Sequence, residues 1–77
     1  MPAEKPGAIV KILELVGSSP DSFSDAVRNA VSRATQTIRH IQGVEVLNST
    51  ATVGDNGQIE NYKVHVKIAF LLEGDVS

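Results

Sequence analysis

No cysteine occurs anywhere in this chain, and in 77 residues that removes most of the ways a small fold is held together. A domain of this size hides only about 60% of the surface its unfolded chain exposes, so its own core is thin. Disulfides are excluded, and so is a thiolate-ligated zinc. The 2 histidines, His40 and His65, are too few for a histidine-built metal site within one copy. Self-association is the remaining way to cover apolar surface, and it is the first expectation the sequence raises.

The charge balance narrows the partners. Lys and Arg number 7 against 9 Asp and Glu, a net charge of −2. Nucleic-acid binders carry a basic patch with interleaved aromatics, whereas Phe23, Phe70 and Tyr62 are the only aromatic residues here. No apolar run approaches the ~18 residues of a membrane span. Residues 1–7 hold two prolines and no hydrophobic signal core, so they read as a disordered leader. Neither nucleic acid nor membrane is expected as a partner, and a cytoplasmic location is.

Hydrophobic patterning gives the element order. Residues 9–16 are β-branched and aliphatic and end at Gly17, which predicts a first strand. Ser19 and Pro20 form a helix-start signal, with Ser22 and Asp25 as a second cap three residues on. Phe23, Ala26, Val27, Ala30, Val31, Ala34, Ile38 and Ile41 then recur at helical steps, predicting one helix that stops near residue 41. Its alanines imply close approach to a sheet. Residues 44–53 alternate, with Val44, Val46, Asn48, Thr50 and Thr52 on one face and Glu45, Leu47, Ser49, Ala51 and Val53 on the other. Asn56-Gly57 is a strong hairpin signal, since both residues tolerate positive φ. Residues 59–72 make a third strand whose core face is Tyr62, Val64, Val66, Ile68, Phe70 and Leu72. Residues 73–77 are a polar tail.

The predicted fold is therefore α+β, a β-α-β-β chain with a three-stranded antiparallel sheet in the order 1-3-2 and one helix on one face. A single domain spans residues 8–73, between a leader at 1–7 and a tail at 74–77. The far face is expected to carry Leu47, Ala51, Val53, Ala69 and Leu71 with nothing from the same chain over them, which marks an interface.

Chemistry-bearing residues are sparse. Two histidines support no Ser-His-acid arrangement, and Gly54-Asp55-Asn56-Gly57 lacks the Gly-Lys-Ser/Thr of a phosphate loop, so no catalytic residues are assigned and an enzyme is not expected. Lys63, His65 and Lys67 form a basic stripe at strand spacing, read as a polar face paired with Glu45 and Glu60. Arg33 and Arg39 are expected to meet carboxylates of neighbouring copies. Glu14, among aliphatics, would be kept charged by an interface salt bridge with an Arg.

Several segments together resemble the dodecin family. They are Leu15-Val16-Gly17-Ser18-Ser19-Pro20-Asp21 after strand one, Arg33-Ala34 with Gln36-Thr37 late in the helix, Glu45-Val46 in strand two, and Tyr62-Lys63-Val64 with Lys67, Phe70 and Glu73 in strand three. The resemblance runs from residue 9 to 73. It implies a sheet partly wrapped round the helix, a hollow homododecamer of cubic symmetry, and non-catalytic storage of a small ligand, flavin in the characterised members. It also places Gly43 where flavin binders carry the Trp that stacks on the ring, and Lys63 where they carry a Gln. Gly43 offers no π-face, and lysine has donors but no acceptor. The ligand-contact positions implied are Gly43, Glu45, Lys63 and His65, and the interface positions are Arg33, Arg39, Leu47, Ala69 and Leu71. Some members without the Trp are linked to divalent cations, calcium in particular. Glu45, Asp55, Asn56 and Glu60 are the oxygen donors available for a hard cation, though the Asp55-Asn56-Gly57 turn lacks the spaced carboxylates of a calcium loop. The alternatives are a flavin such as FMN held differently, calcium, or a purely structural shell; no metal ligand set is assigned.

Overall fold

The computed structural model describes residues 9–72. The expected leader and tail lie outside the described residues. The elements are β1 (Val10–Ser19), α1 (Phe23–Ala34), β2 (Ile41–Val53) and β3 (Ile59–Leu71). All strand pairings are antiparallel and the order is β1-β3-β2, as the patterning predicts. The strand with the unbroken apolar face, β3, takes the centre, where its side chains are buried between two neighbours.

The core lies between α1 and the sheet. Ala26, Ala30 and Ala34 on the helix meet Val64, Val66 and Ile68 on β3, all buried, with Leu15, Val27, Ile38, Ile41 and Phe70 packed around them. The alanine stripe allows very close approach. A Cβ added at Gly17 would lie 2.8 Å from the Ala30 Cβ and would also collide with the Ala26 carbonyl oxygen. Gly17 is thus the point where β1 passes directly beneath the helix.

The helix start resolves to the second of the two caps. Ser22 has extended backbone and its hydroxyl accepts from the Asp25 N–H at 3.0 Å. Ser19 is buried instead at the end of β1, where its hydroxyl donates to Asp25 Oδ2 at 2.7 Å and accepts from the Asp21 N–H at 2.9 Å. These bonds tie strand, turn and helix together. Ser22→Ala is expected to lower stability by about 1 kcal/mol, read as a lower urea midpoint at unchanged slope. An unmoved midpoint would show that Ser19 alone sets the helix start.

The helix is shorter than the apolar stripe predicts, ending at Ala34 rather than near Ile41. Thr35 and Thr37 are poor helix formers, and the Thr35 hydroxyl donates to the Ser32 carbonyl at 2.7 Å, offering the backbone an alternative to another turn. Ile38 and Ile41 still reach the core, Ile38 through the turn and Ile41 as the first residue of β2. His40, with φ of 61°, makes the reversal between them.

A second correction concerns β2. Val46 pairs with Val66, but Asn48 pairs with His65, so Leu47 is an extra residue in a β-bulge. A bulge shifts the side-chain alternation by one. Beyond it Ser49 lies opposite Val64 and Ala51 opposite Tyr62, on the helix face, while Asn48 and Thr50 turn to the far face. Ala51 therefore leaves the set predicted for the uncovered face. The hairpin differs too. Asn56 does not take positive φ; Gly57 does, at 82°, and its N–H donates to the Gly54 carbonyl at 2.9 Å. This is a single turn closed by a left-handed glycine.

The helix is too short for the sheet. Twelve residues span about 18 Å, whereas the 13-residue β3 runs about 43 Å. Helix α1 sits over β1 and β3, so Val44 and Val46 remain 41% and 47% exposed although they share its face.

Candidate functional site

The face away from the helix is defined by the β3 residues that alternate with the buried ones: Lys63, His65, Lys67, Ala69 and Leu71. Register supplies their neighbours. Ile12 and Gly43 flank Ala69, Glu14 and Glu45 flank Lys67, Val16 and Asn48 flank His65, and Ser18 and Thr50 flank Lys63. The face therefore grades from an apolar end at Ala69 and Leu71, through a charged row, to a polar end at Lys63.

The charged row alternates in sign, Glu14, Lys67, Glu45, an arrangement that favours cross-strand pairing. Glu14 meets a histidine of its own chain rather than an arginine across an interface: the His65 Nε2 lies 2.8 Å from Glu14 Oε1. Both side chains are about half exposed, so the contact orients them and contributes little to stability.

At the apolar end lies a shallow depression of about 240 Å³, lined by Ile12, Gly43, Val44, Glu45, Lys67 and Ala69. Gly43 makes its floor, because a Cβ there meets nothing within 4 Å. The depression has apolar walls and one edge carrying a donor, Lys67, beside an acceptor, Glu45. Such a surface suits a small, partly apolar molecule with a polar edge.

The predicted ligand positions fare unevenly. Gly43, Glu45, Lys63 and His65 all lie on this one face. Gly43 and Glu45 border the depression, but Lys63 is six residues along β3 from Ala69, the partner of Gly43, about 20 Å away. One small molecule cannot touch Gly43 and Lys63 of a single chain. Ile12, Lys67 and Ala69 were not among the predicted ligand positions; the alternation of strand one and the basic stripe were their only signals. Of the predicted interface positions, Ala69 and Leu71 share this face and Leu47 projects at the bulge. Arg33 lies on the last helical turn and donates to Gln36 Oε1 at 3.0 Å. Arg39 is exposed in the connection before β2. Among the described residues no group of three or more His, Asp or Glu is placed to hold a metal ion, and no helix is long and apolar enough to cross a membrane.

A sheet of this order with one helix on one face and an open, graded face on the other defines a small α+β subunit. The dodecin family model matches residues 9–73, and the chain belongs to the dodecin family. It is 36% identical to the dodecin of Thermus thermophilus over 67 residues, 87% of this chain and 96% of that one. It is 27% identical to the calcium dodecin of Mycobacterium tuberculosis over 63 residues, 82% of this chain and 87% of that one. Among solved structures, the dodecin of Streptomyces coelicolor superposes with a TM-score of 0.85 at 39% identity, covering 90% of this chain and 97% of its own. The calcium dodecin structure, described as having a novel calcium-binding site, superposes with a TM-score of 0.75 at 25% identity, covering 90% of this chain and 97% of its own.

Proposed function

We propose that this chain forms a cytoplasmic homododecamer that holds a small molecule without turning it over, in sites completed by neighbouring copies at the outer sheet face. The observation that carries this is the depression around Gly43, open on one side and lined by exposed apolar side chains, with Ile12 at 51% and Val44 at 41% exposure. Arg33, Arg39, Leu47, Ala69 and Leu71 are the proposed contacts between copies. Because Gly43 and Lys63 are too far apart within one chain, a ligand that meets both positions takes them from different copies.

Gly43 and Lys63 remove the stacking ring and the amide that flavin-binding relatives would use, so flavin is not the expected ligand in the usual mode. The open space over Gly43 allows the ring to be restored. FMN fluorescence titration is expected to show little quenching by the native protein. Gly43→Trp combined with Lys63→Gln should bind more tightly by about 1–3 kcal/mol, the range for stacking one ring on an aromatic side chain. Native protein that quenches FMN as tightly as the double variant would refute the assignment. A double variant that gains nothing would refute Gly43 and Lys63 as the ligand positions.

The calcium dodecin relative favours a second reading, in which the shell binds a divalent cation through oxygens from several copies, Glu45 among them. Melting that rises with calcium and falls back on adding EDTA would select it. Indifference to both would leave a ligand-binding or purely structural shell.

A further inference from the structure

We propose that the β2–β3 hairpin tip is a covalent modification site, at which Asn56 deamidates spontaneously in the folded protein. Of the asparagines Asn29, Asn48, Asn56 and Asn61, only Asn56 is followed by glycine. The reaction needs the next residue's backbone nitrogen to reach the asparagine Cγ. A side chain on that next residue obstructs the approach, and Gly57 has none.

The surroundings of the other three oppose it. Asn29 lies in α1, its amide Nδ2 donates to the Ser18 carbonyl at 2.9 Å, and the buried Ala30 follows it. Asn48 and Asn61 lie in β2 and β3, paired across the ladder and followed by Ser49 and Tyr62. Asn56 instead sits in the exposed turn between the strands. Its Oδ1 accepts from the Gln58 N–H at 3.0 Å, which holds the side chain against the backbone and draws electron density from Cγ. The restraint on the nucleophile is one turn bond, from the Gly57 N–H to the Gly54 carbonyl. A solvent-exposed bond of this kind opens far more readily than the ladder around it.

The chemistry balances with water and hydroxide alone. Gly57 N loses its proton to hydroxide and attacks Asn56 Cγ. The new C–N bond closes a succinimide as the side-chain amide C–N bond breaks, and the departing nitrogen takes a proton from water to leave as ammonia, returning the hydroxide. Water then opens either imide carbonyl, giving aspartate or isoaspartate; nothing is oxidised or reduced. The product adds a carboxylate beside Asp55 and takes the chain from a net charge of −2 to one unit more negative. Isoaspartate also inserts a methylene into the backbone of a tight turn closed by the bonds from Gly57 N–H to the Gly54 carbonyl and from Gly54 N–H to the Gln58 carbonyl.

The test is to incubate the full-length folded protein at mildly alkaline pH, map its peptides by mass, and follow its native isoelectric point. The expected result is a gain of about 1 Da confined to Asn56, present as both aspartate and isoaspartate, with one acidic charge shift that Asn56→Ser abolishes. Folded protein that keeps Asn56 intact while urea-unfolded chain converts it would overturn the proposal, since the turn would then be protective. A first conversion at Asn29, Asn48 or Asn61 would overturn it as well.

Discussion

Gly17→Val is expected to abolish cooperative folding or to leave a markedly less stable protein. Gly17 sits near the C-terminal end of β1 without side-chain volume, and the helix rests on it. Any Cβ there overlaps the Ala26 carbonyl oxygen and comes within 2.8 Å of the Ala30 Cβ. Both obstacles belong to the helix framework, so neither moves aside by changing rotamer. Two effects oppose each other. Valine has the better strand propensity, worth up to about 1 kcal/mol. Overpacking a close contact costs about 1–3 kcal/mol for a few methylenes and more where backbone must shift. The steric term wins, because relieving it means lifting α1 off β1 and opening the contact of Ala26 and Ala30 with Val64 and Val66. Far-UV circular dichroism against urea reads the result. A midpoint equal to the native one would show that the helix has room over β1.

Ile68→Ala is expected to cost about 2–5 kcal/mol, the range for deleting a fully buried aliphatic side chain. Ile68 is 0% exposed, on the central strand between Leu13 of β1 and Val44 of β2. Both neighbours are exposed at their outer edges, so little material is available to collapse into the cavity. A chain of 77 residues has only about 4–12 kcal/mol in total, so this one change removes a large share. The drop in melting temperature should be largest at low protein concentration, because association adds stability by mass action. A loss below 1 kcal/mol would place Ile68 outside the core.

The parts of this architecture that the sequence made legible are those set by period. An unbroken alternation from Tyr62 to Phe70 placed β3 at the centre and told its two faces apart. The alanine stripe announced close packing before any contact was known. The bulge at Leu47 was not legible, because small and polar residues follow it and the alternation of 44–53 reads equally well in either phase. The end of the helix was hidden because Ile38 and Ile41 keep helical spacing while reaching the core by another path. The candidate site divides the same way. Gly43, Glu45, Lys63 and His65 could be placed on one face by counting in twos. The grouping of Ile12, Lys67 and Ala69 around Gly43, and the separation of Gly43 from Lys63, depend on cross-strand register, which a single sequence does not specify.

In the proposed assembly, the exposed apolar surface of this chain is covered by copies of itself, and ligand sites arise between them. Mass in solution, by light scattering on a sizing column or by native mass spectrometry, tests it most directly. The expected result is one dominant species of about 98 kDa, twelve copies of the 8.2 kDa chain. A stable, folded 8.2 kDa monomer at micromolar concentration would contradict it.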